Sequence, residues 1–152
     1  MKNINLVLKE IDKHKDRLEY VVNKIKSWGK LDTKILDDPE KVETLNAFLF
    51  RFSKMQDTMG EKLFPLILEV FGEESRNKPF IDILNRLEQL EILPSANKWK
   101  ELRKIRNLLT HTYPWEQEIL IKELDEAITT SKELIQIYQN IKEKIKPYLN
   151  KS

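Results

Sequence analysis

The chain has 152 residues, 40% of them apolar and 34% charged, with three glycines and six prolines. That length suits a single domain with one continuous core, and that composition excludes disorder or a collagen-like repeat as the default state. Lysine and arginine total 27 against 25 aspartates and glutamates, a net charge of +2, so the surface as a whole is no polycation and any basic site must be local. The absence of cysteine removes disulfide scaffolds, thiol catalysis and thiolate metal sites. His14 and His111, the two histidines, lie far apart in sequence, and no metal or other cofactor is expected. The first ten residues lack the apolar run of a signal peptide, and no segment approaches the roughly 20 apolar residues of a membrane span, which predicts a cytoplasmic protein with no membrane partner.

Apolar residues at Ile4, Leu8, Ile11, Leu18, Val22 and Ile25 follow helical steps, giving a first amphipathic helix that Trp28 closes and Gly29 stops. After a polar loop from Lys30, Asp38 reads as an N-cap with Pro39 at the first helical position, and Val42, Leu45, Phe48, Phe52, Met55, Met59 and Leu63 continue one stripe. Pro65 falls inside that pattern, where it can neither donate to the carbonyl four residues back nor avoid it, so a kink near Glu61 is predicted before the helix ends at Gly72. Pro79 opens a third helix carrying Phe80, Ile83, Leu84, Leu87 and Leu90, which Pro94 is expected to end. Ser95 caps a fourth, with Trp99, Leu102, Ile105 and Leu109 buried, and Pro114 should fray it across Thr110 to Tyr113. Leu120, Leu124, Ile128, Leu134, Tyr138, Ile141 and Ile145 mark a fifth helix of about seven turns ending at Pro147. With no sustained two-residue alternation and no internal repeat, residues 1–152 read as one all-α domain, an antiparallel bundle of about five helices.

Few residues are arranged for chemistry. There is no Gly-rich phosphate loop, no His-Glu-x-x-His and no Gly-x-Ser-x-Gly elbow. Acidic pairs such as Glu73-Glu74 and Asp37-Asp38 read as helix-end residues that answer exposed amides and the dipole, and His14, among Lys13, Lys15 and Asp16, reads as a solvated surface histidine. What remains is the segment from Leu102 to Pro114, which crowds a histidine, two arginines and a tyrosine around a helix end. On spacing alone, His111 could simply cap that end, Arg106 could pair with a glutamate, and Tyr113 could be a packing aromatic.

The pattern Arg-x-x-x-x-His-x-Tyr, filled by Arg106, His111 and Tyr113 with Asn107 after the arginine, resembles the signature of the HEPN family, small all-helical RNases and nucleotide-associated domains of prokaryotic toxin–antitoxin systems. The stretch Arg51-Phe52-Ser53-Lys54-Met55-Gln56-Asp57 through Phe64-Pro65, followed by 79–88, is similar to the HepT-like branch, so the resemblance spans most of the chain. It implies a metal-independent endoribonuclease toxin. In that chemistry a base takes the 2′-OH proton of RNA, the oxygen attacks the adjacent phosphorus and the 5′ oxygen leaves. A histidine can serve as base or acid near neutral pH, and a guanidinium can grip two phosphate oxygens as charge builds on them. His111 and Arg106 would fill those roles, with Asn107 orienting the RNA or the histidine.

Five helical steps of about 100° place Arg106 and His111 roughly 140° apart. Either the helix ends before His111 or a second subunit completes the site, and the resemblance implies the latter, a homodimer paired through the faces that bear the fourth helix. Lys54 and Arg51, one turn apart and off the apolar stripe of helix two, are candidates for holding the RNA backbone, with plain surface charge as the competing reading. The resemblance further implies a cognate MNT-type nucleotidyltransferase antitoxin that transfers AMP to Tyr113, which precedes Pro114 on backbone expected to be extended and reachable. The alternatives are a non-catalytic, nucleotide- or substrate-binding subunit of a separate nucleotidyltransferase, and a helical interaction module with no ligand.

Overall fold

A computed structural model describes residues 3–149. The helices are α1 (Ile4–Lys26), α2 (Pro39–Thr58), α3 (Phe64–Val70), α4 (Phe80–Gln89), α5 (Ala96–His111) and α6 (Gln117–Leu149). A π-helical turn, Met59–Leu63, joins α2 to α3, so these six segments form five rods. They pack as an antiparallel all-α bundle. Glu10 meets Lys62 while His14 meets Arg51 along α1 and α2, Lys98 meets Glu133 while Thr112 meets Glu123 along α5 and α6, and no strand is present among the described residues. Among the described residues no helix is long and apolar enough to cross a membrane.

The expected start signals are realised. Asp38 accepts from the amides of Glu40 and Lys41 with Pro39 behind it, and Ser95 accepts from Lys98; each satisfies amides that the first turn leaves without a carbonyl. Where the sequence predicts a kink, near Glu61, the helix takes a π turn. There the Phe64 amide reaches back five residues to the Met59 carbonyl, and Pro65, which has no amide to place, follows at once. Gly60 sits inside this turn with the rings of Phe80 and Trp99 3.4 and 3.7 Å from where a β-carbon would stand. Phe64 meets Trp99 edge-on at 4.7 Å between centroids, so the π turn and α3 together seat the largest buried side chain of α5.

Four expectations are corrected. The loop after Gly29 is not merely polar, because it carries a 3₁₀ turn, Thr33–Asp37, capped by Asp32, and it buries Leu31 and Ile35. Helix α4 stops at Gln89 rather than at Pro94. Its end is closed by Glu91 in the left-handed region (φ 60°) while the Ile92 amide returns to the Leu87 carbonyl, which lets Ile92 and Leu93 enter the core. Helix α6 runs through Pro147 to Leu149, 33 residues or about nine turns. Proline so near a helix end breaks only one bond, and Tyr148 packs edge-on against Phe71 at 4.6 Å, holding the last turn in place. Glu73 lies past the C-terminal end of α3, where the dipole disfavours an acid. It is instead gripped by the Arg86 guanidinium through Nε and Nη2, both at 2.8 Å.

Between α1 and α6, the Tyr138 hydroxyl lies 3.0 Å from the Leu8 carbonyl and 2.7 Å from Asp12 Oδ1, which Lys142 also holds. Burial, with the Asp12 carboxylate, pushes this phenol far above its ordinary range, so it stays a neutral donor. Glu91 has a different consequence. A side chain in the left-handed region costs about 1–2 kcal/mol that glycine avoids, so Glu91→Gly should raise unfolding stability by about 1 kcal/mol in urea, whereas Glu91→Val should lower it.

Candidate functional site

Two adjacent residues of α2 clasp α5. Gln56, fully buried, donates through Nε2 to the Leu102 carbonyl at 3.2 Å and accepts from Arg103 at 3.4 Å. Asp57 accepts from Arg103 Nη1 at 2.7 Å and from Arg106 Nη2 at 3.5 Å. Arg106 Nη1 also donates to Asn107 at 3.0 Å, and its buried Nε has no partner. The acid that pairs with Arg106 is thus an aspartate from another helix.

Helix α5 does not end before His111. It stays regular through that residue and leaves only at Thr112, which is extended at φ −74°, ψ 131°. Pro114 constrains Tyr113 and reaches no further back. The final turn is closed by threonines: the Thr112 amide and hydroxyl both donate to the Leu108 carbonyl, and the Thr110 hydroxyl to that of Arg106. His111 therefore does not cap the helix by hydrogen bonding. It is exposed, and no hydrogen bond or ion pair involves it among the described residues. On a regular helix Arg106 and His111 diverge by about 140°, and within one chain they are not brought together. Arg106 faces Asp57 on α2, while His111 and Asn107 line a groove of about 550 Å³ between α4 and α5.

Lys100, Arg103 and Lys104 supply the cationic wall of this groove, and Phe80, Ile81, Leu84 and Leu108 the apolar one. Trp99 lies beneath, with its indole nitrogen buried and unpartnered. The volume is that of a small-ligand cleft, and the charge is of one sign at the rim. Past the helix end, Tyr113 stacks on Trp115 with centroids 4.5 Å apart and planes 7° from parallel. Both rings remain exposed, so Tyr113 is not a core aromatic.

Arg51 and Lys54 lie elsewhere: neither lines the groove, and Arg51 meets α1. His14 is there too, and it is not a solvated surface residue: its side chain is only 14% exposed. Arg51 Nη1 lies 3.3 Å from His14 Nδ1, and Glu10 approaches His14 Nε2 at 3.8 Å. A guanidinium can only donate, so Nδ1 is the acceptor and the ring proton sits on Nε2. Burial first, then the Arg51 charge, push the imidazole below its ordinary value. Burial raises the Glu10 carboxyl, but the bonds from Lys62 and Thr58 outweigh it and hold the group low.

The fold therefore joins Asn107 and His111 and adds Arg103, Lys100 and Lys104 to them; Arg106 touches Asn107 but not His111, and Arg51 and Lys54 lie away from both. Gln56, Asp57 and Arg103 were not singled out by spacing. Their signal was an aspartate off the stripe of α2 and two arginines three apart on α5, legible only once the register between the helices is known. Among the described residues, no group of three or more histidines and acids is placed to hold a metal. No family model matches the chain, and neither curated proteins nor solved structures provide a match.

Asp57→Ala should lower unfolding stability by about 2 kcal/mol, because Arg103 and Arg106 lose a shared, largely buried acceptor; Asp57→Asn should recover part of it, read by urea denaturation. For His14 the sign follows from a value lowered on folding. The unfolded chain binds the proton more readily, so the stabilisation is present above about pH 6.5 and is lost as pH falls through the folded value. Stability should drop as pH falls below about 6.5, and His14→Gln should flatten that part of the profile.

Proposed function

We propose that the chain is a HepT-like endoribonuclease toxin of the HEPN type, acting without a metal at a site made by two copies. The observation that carries this is His111: an exposed, unpartnered imidazole at the end of α5, with Asn107 one turn before it in a groove walled by Lys100, Arg103 and Lys104. Imidazole beside a cationic wall is the equipment that RNA transesterification uses, since RNA carries its own nucleophile. His111 of one copy removes the 2′-OH proton, the 2′ oxygen attacks phosphorus, the bond to the 5′ oxygen breaks, and a second imidazole returns a proton to that oxygen, leaving a 2′,3′-cyclic phosphate. The divergence of Arg106 from His111 along one helix favours a composite site, in which Arg106 clamps the phosphate handled by the partner copy. Asp57 holds Arg103 at 2.7 Å and Arg106 at 3.5 Å, so Arg106 can exchange its longer contact for a phosphate while Arg103 keeps the aspartate neutralised.

Restraint by a cognate MNT-type nucleotidyltransferase fits Tyr113, whose ring is exposed beyond the helix end. An adenylyl group there adds a negative charge and a purine near the groove, competing with RNA for its cations. A second reading, a non-catalytic nucleotide-binding subunit of a nucleotidyltransferase, is favoured by one feature, the apolar wall of Phe80, Ile81, Leu84 and Leu108 opposite the cations.

Total RNA incubated with purified protein in EDTA should be cleaved, and both His111→Ala and Arg106→Ala should lose about a hundredfold or more of the rate. No cleavage by the wild type would reject the enzyme in favour of the binding subunit, and equal cleavage by all three would mark a contaminating nuclease. Co-expression with the nucleotidyltransferase should add roughly 329 Da per adenylyl group, absent in Tyr113→Phe.

A further inference from the structure

The seam between α1 and α2 is a ladder of paired side chains with one gap in its charge balance. At one end Glu10 takes the Thr58 hydroxyl and the Lys62 ammonium, both at 3.1 Å. At the other, Lys24 of α1 shares a shallow cleft with Glu40 and Glu43 of α2. Between them stand His14 and Arg17 from α1 and Arg51 and Lys54 from α2, each pair separated by one helical turn. Among the described residues Arg17, Arg51 and Lys54 have no carboxylate partner, while Lys15, Lys62, Arg86, Lys98, Arg103, Arg106 and Lys142 all do. Glu10, the acid that approaches His14 at 3.8 Å, is already engaged by Thr58 and Lys62.

This crowding is held in place. Arg51 is half-buried, tied to His14 Nδ1, and lies 4.8 Å over the ring of Phe50, with Lys54 over the same ring at 5.8 Å. Burial and the neighbouring Arg17 both work against the Arg51 charge, so the fold keeps like charges together without supplying the anion that would relieve them. Phe50, which those two cations flank, is itself half exposed. An uncompensated cationic row beside an exposed aromatic ring is the pairing that single-stranded nucleic acid uses: phosphodiesters on the cations, a base on the ring.

We propose that the α1/α2 seam is a binding site for single-stranded nucleic acid, with the backbone held by Arg17, Arg51 and Lys54 and one base stacked on Phe50. His14 serves as a positioning residue that fixes the Arg51 guanidinium. The site is separate from the α5 groove, which is lined by residues of α4 and α5 and by none of Arg17, Phe50, Arg51 and Lys54. It stands whether or not His111 is catalytic.

The test uses the full chain and probes that 2′-OH chemistry cannot cut: a labelled single strand of roughly 12 nucleotides, made once as 2′-O-methyl RNA and once as DNA, followed by fluorescence anisotropy over a salt series. Arg17→Glu with Lys54→Glu, both at exposed positions, should weaken binding about tenfold or more and flatten the log–log salt slope by about 0.7 per lost contact. Phe50→Ala should weaken it roughly tenfold with the slope unchanged. Equal binding of the two probes assigns the site to the shared backbone, and preference for the RNA-type probe assigns it to RNA; both uphold it. Unchanged binding in the double variant would overturn the proposal. So would an equal loss in the charge-matched control Lys122→Glu with Lys132→Glu, or an acidic peptide that binds as tightly as the oligonucleotides and ignores Phe50→Ala. Circular dichroism and urea midpoints close to wild type confirm that each variant is folded.

Discussion

The contact on which the candidate site depends is the grip of Gln56 and Asp57 on α5. Apolar stripes set two helices side by side but tolerate a shift of one turn, because leucine against leucine is much the same one turn away. A fully buried amide that has to find the Leu102 carbonyl is not so permissive. Gln56 fixes the register of α5 on α2, and Asp57 then fixes which arginines face inward. What α5 presents to the groove follows from that choice: with Arg106 drawn toward the aspartate and Arg103 bridging the aspartate and the groove wall, Lys100, Lys104, Asn107 and His111 fall on the groove side. The aspartate also keeps two guanidiniums close together that would otherwise repel each other.

A molecule with a net charge of +2 can still hold strong local fields if its acids are spent elsewhere. Glu73 is committed to Arg86, Glu133 to Lys98, Asp12 to Lys142 and Tyr138, and Glu123 to Thr112. These pairs stitch one element to another and leave the α5 groove and the α1/α2 seam short of negative charge. Total charge is silent about such sites, because it averages over pairs that cancel locally and cations that do not.

Much of the fold was legible in the sequence because its signals are local. Asp38-Pro39, Ser95 and Pro65 each act within one turn, and each acts where the spacing placed it. The errors are equally physical. Pro94 stands at a visible break, but Glu91 in the left-handed region had already turned the chain, and nothing about a glutamate announces that. Pro147 looked like a terminator, yet the Phe71–Tyr148 contact outweighs a single missing hydrogen bond. At the site, His111 and Asn107 could be placed on one groove by counting four residues along a helix. The burial of His14 beneath Arg51 and the capture of Arg106 by Asp57 could not, because both depend on a residue more than 30 positions away in the other helix.

The π turn at Met59–Leu63 is one residue wider than an α turn, and each helical residue is worth about 100° of rotation. The chain upstream of it aims Gln56 and Asp57 at α5; the chain downstream aims Phe64 at Trp99 and Phe71 at Tyr148. A straight α-helix through the same residues would satisfy one half and rotate the other away from its partners. The turn is therefore a phase shifter between two halves of a single rod. Insertions and deletions, which loops absorb elsewhere in the bundle, would here be read as rotations of everything that follows, so this stretch is bound in its length as well as in its buried residues Met59, Gly60 and Leu63.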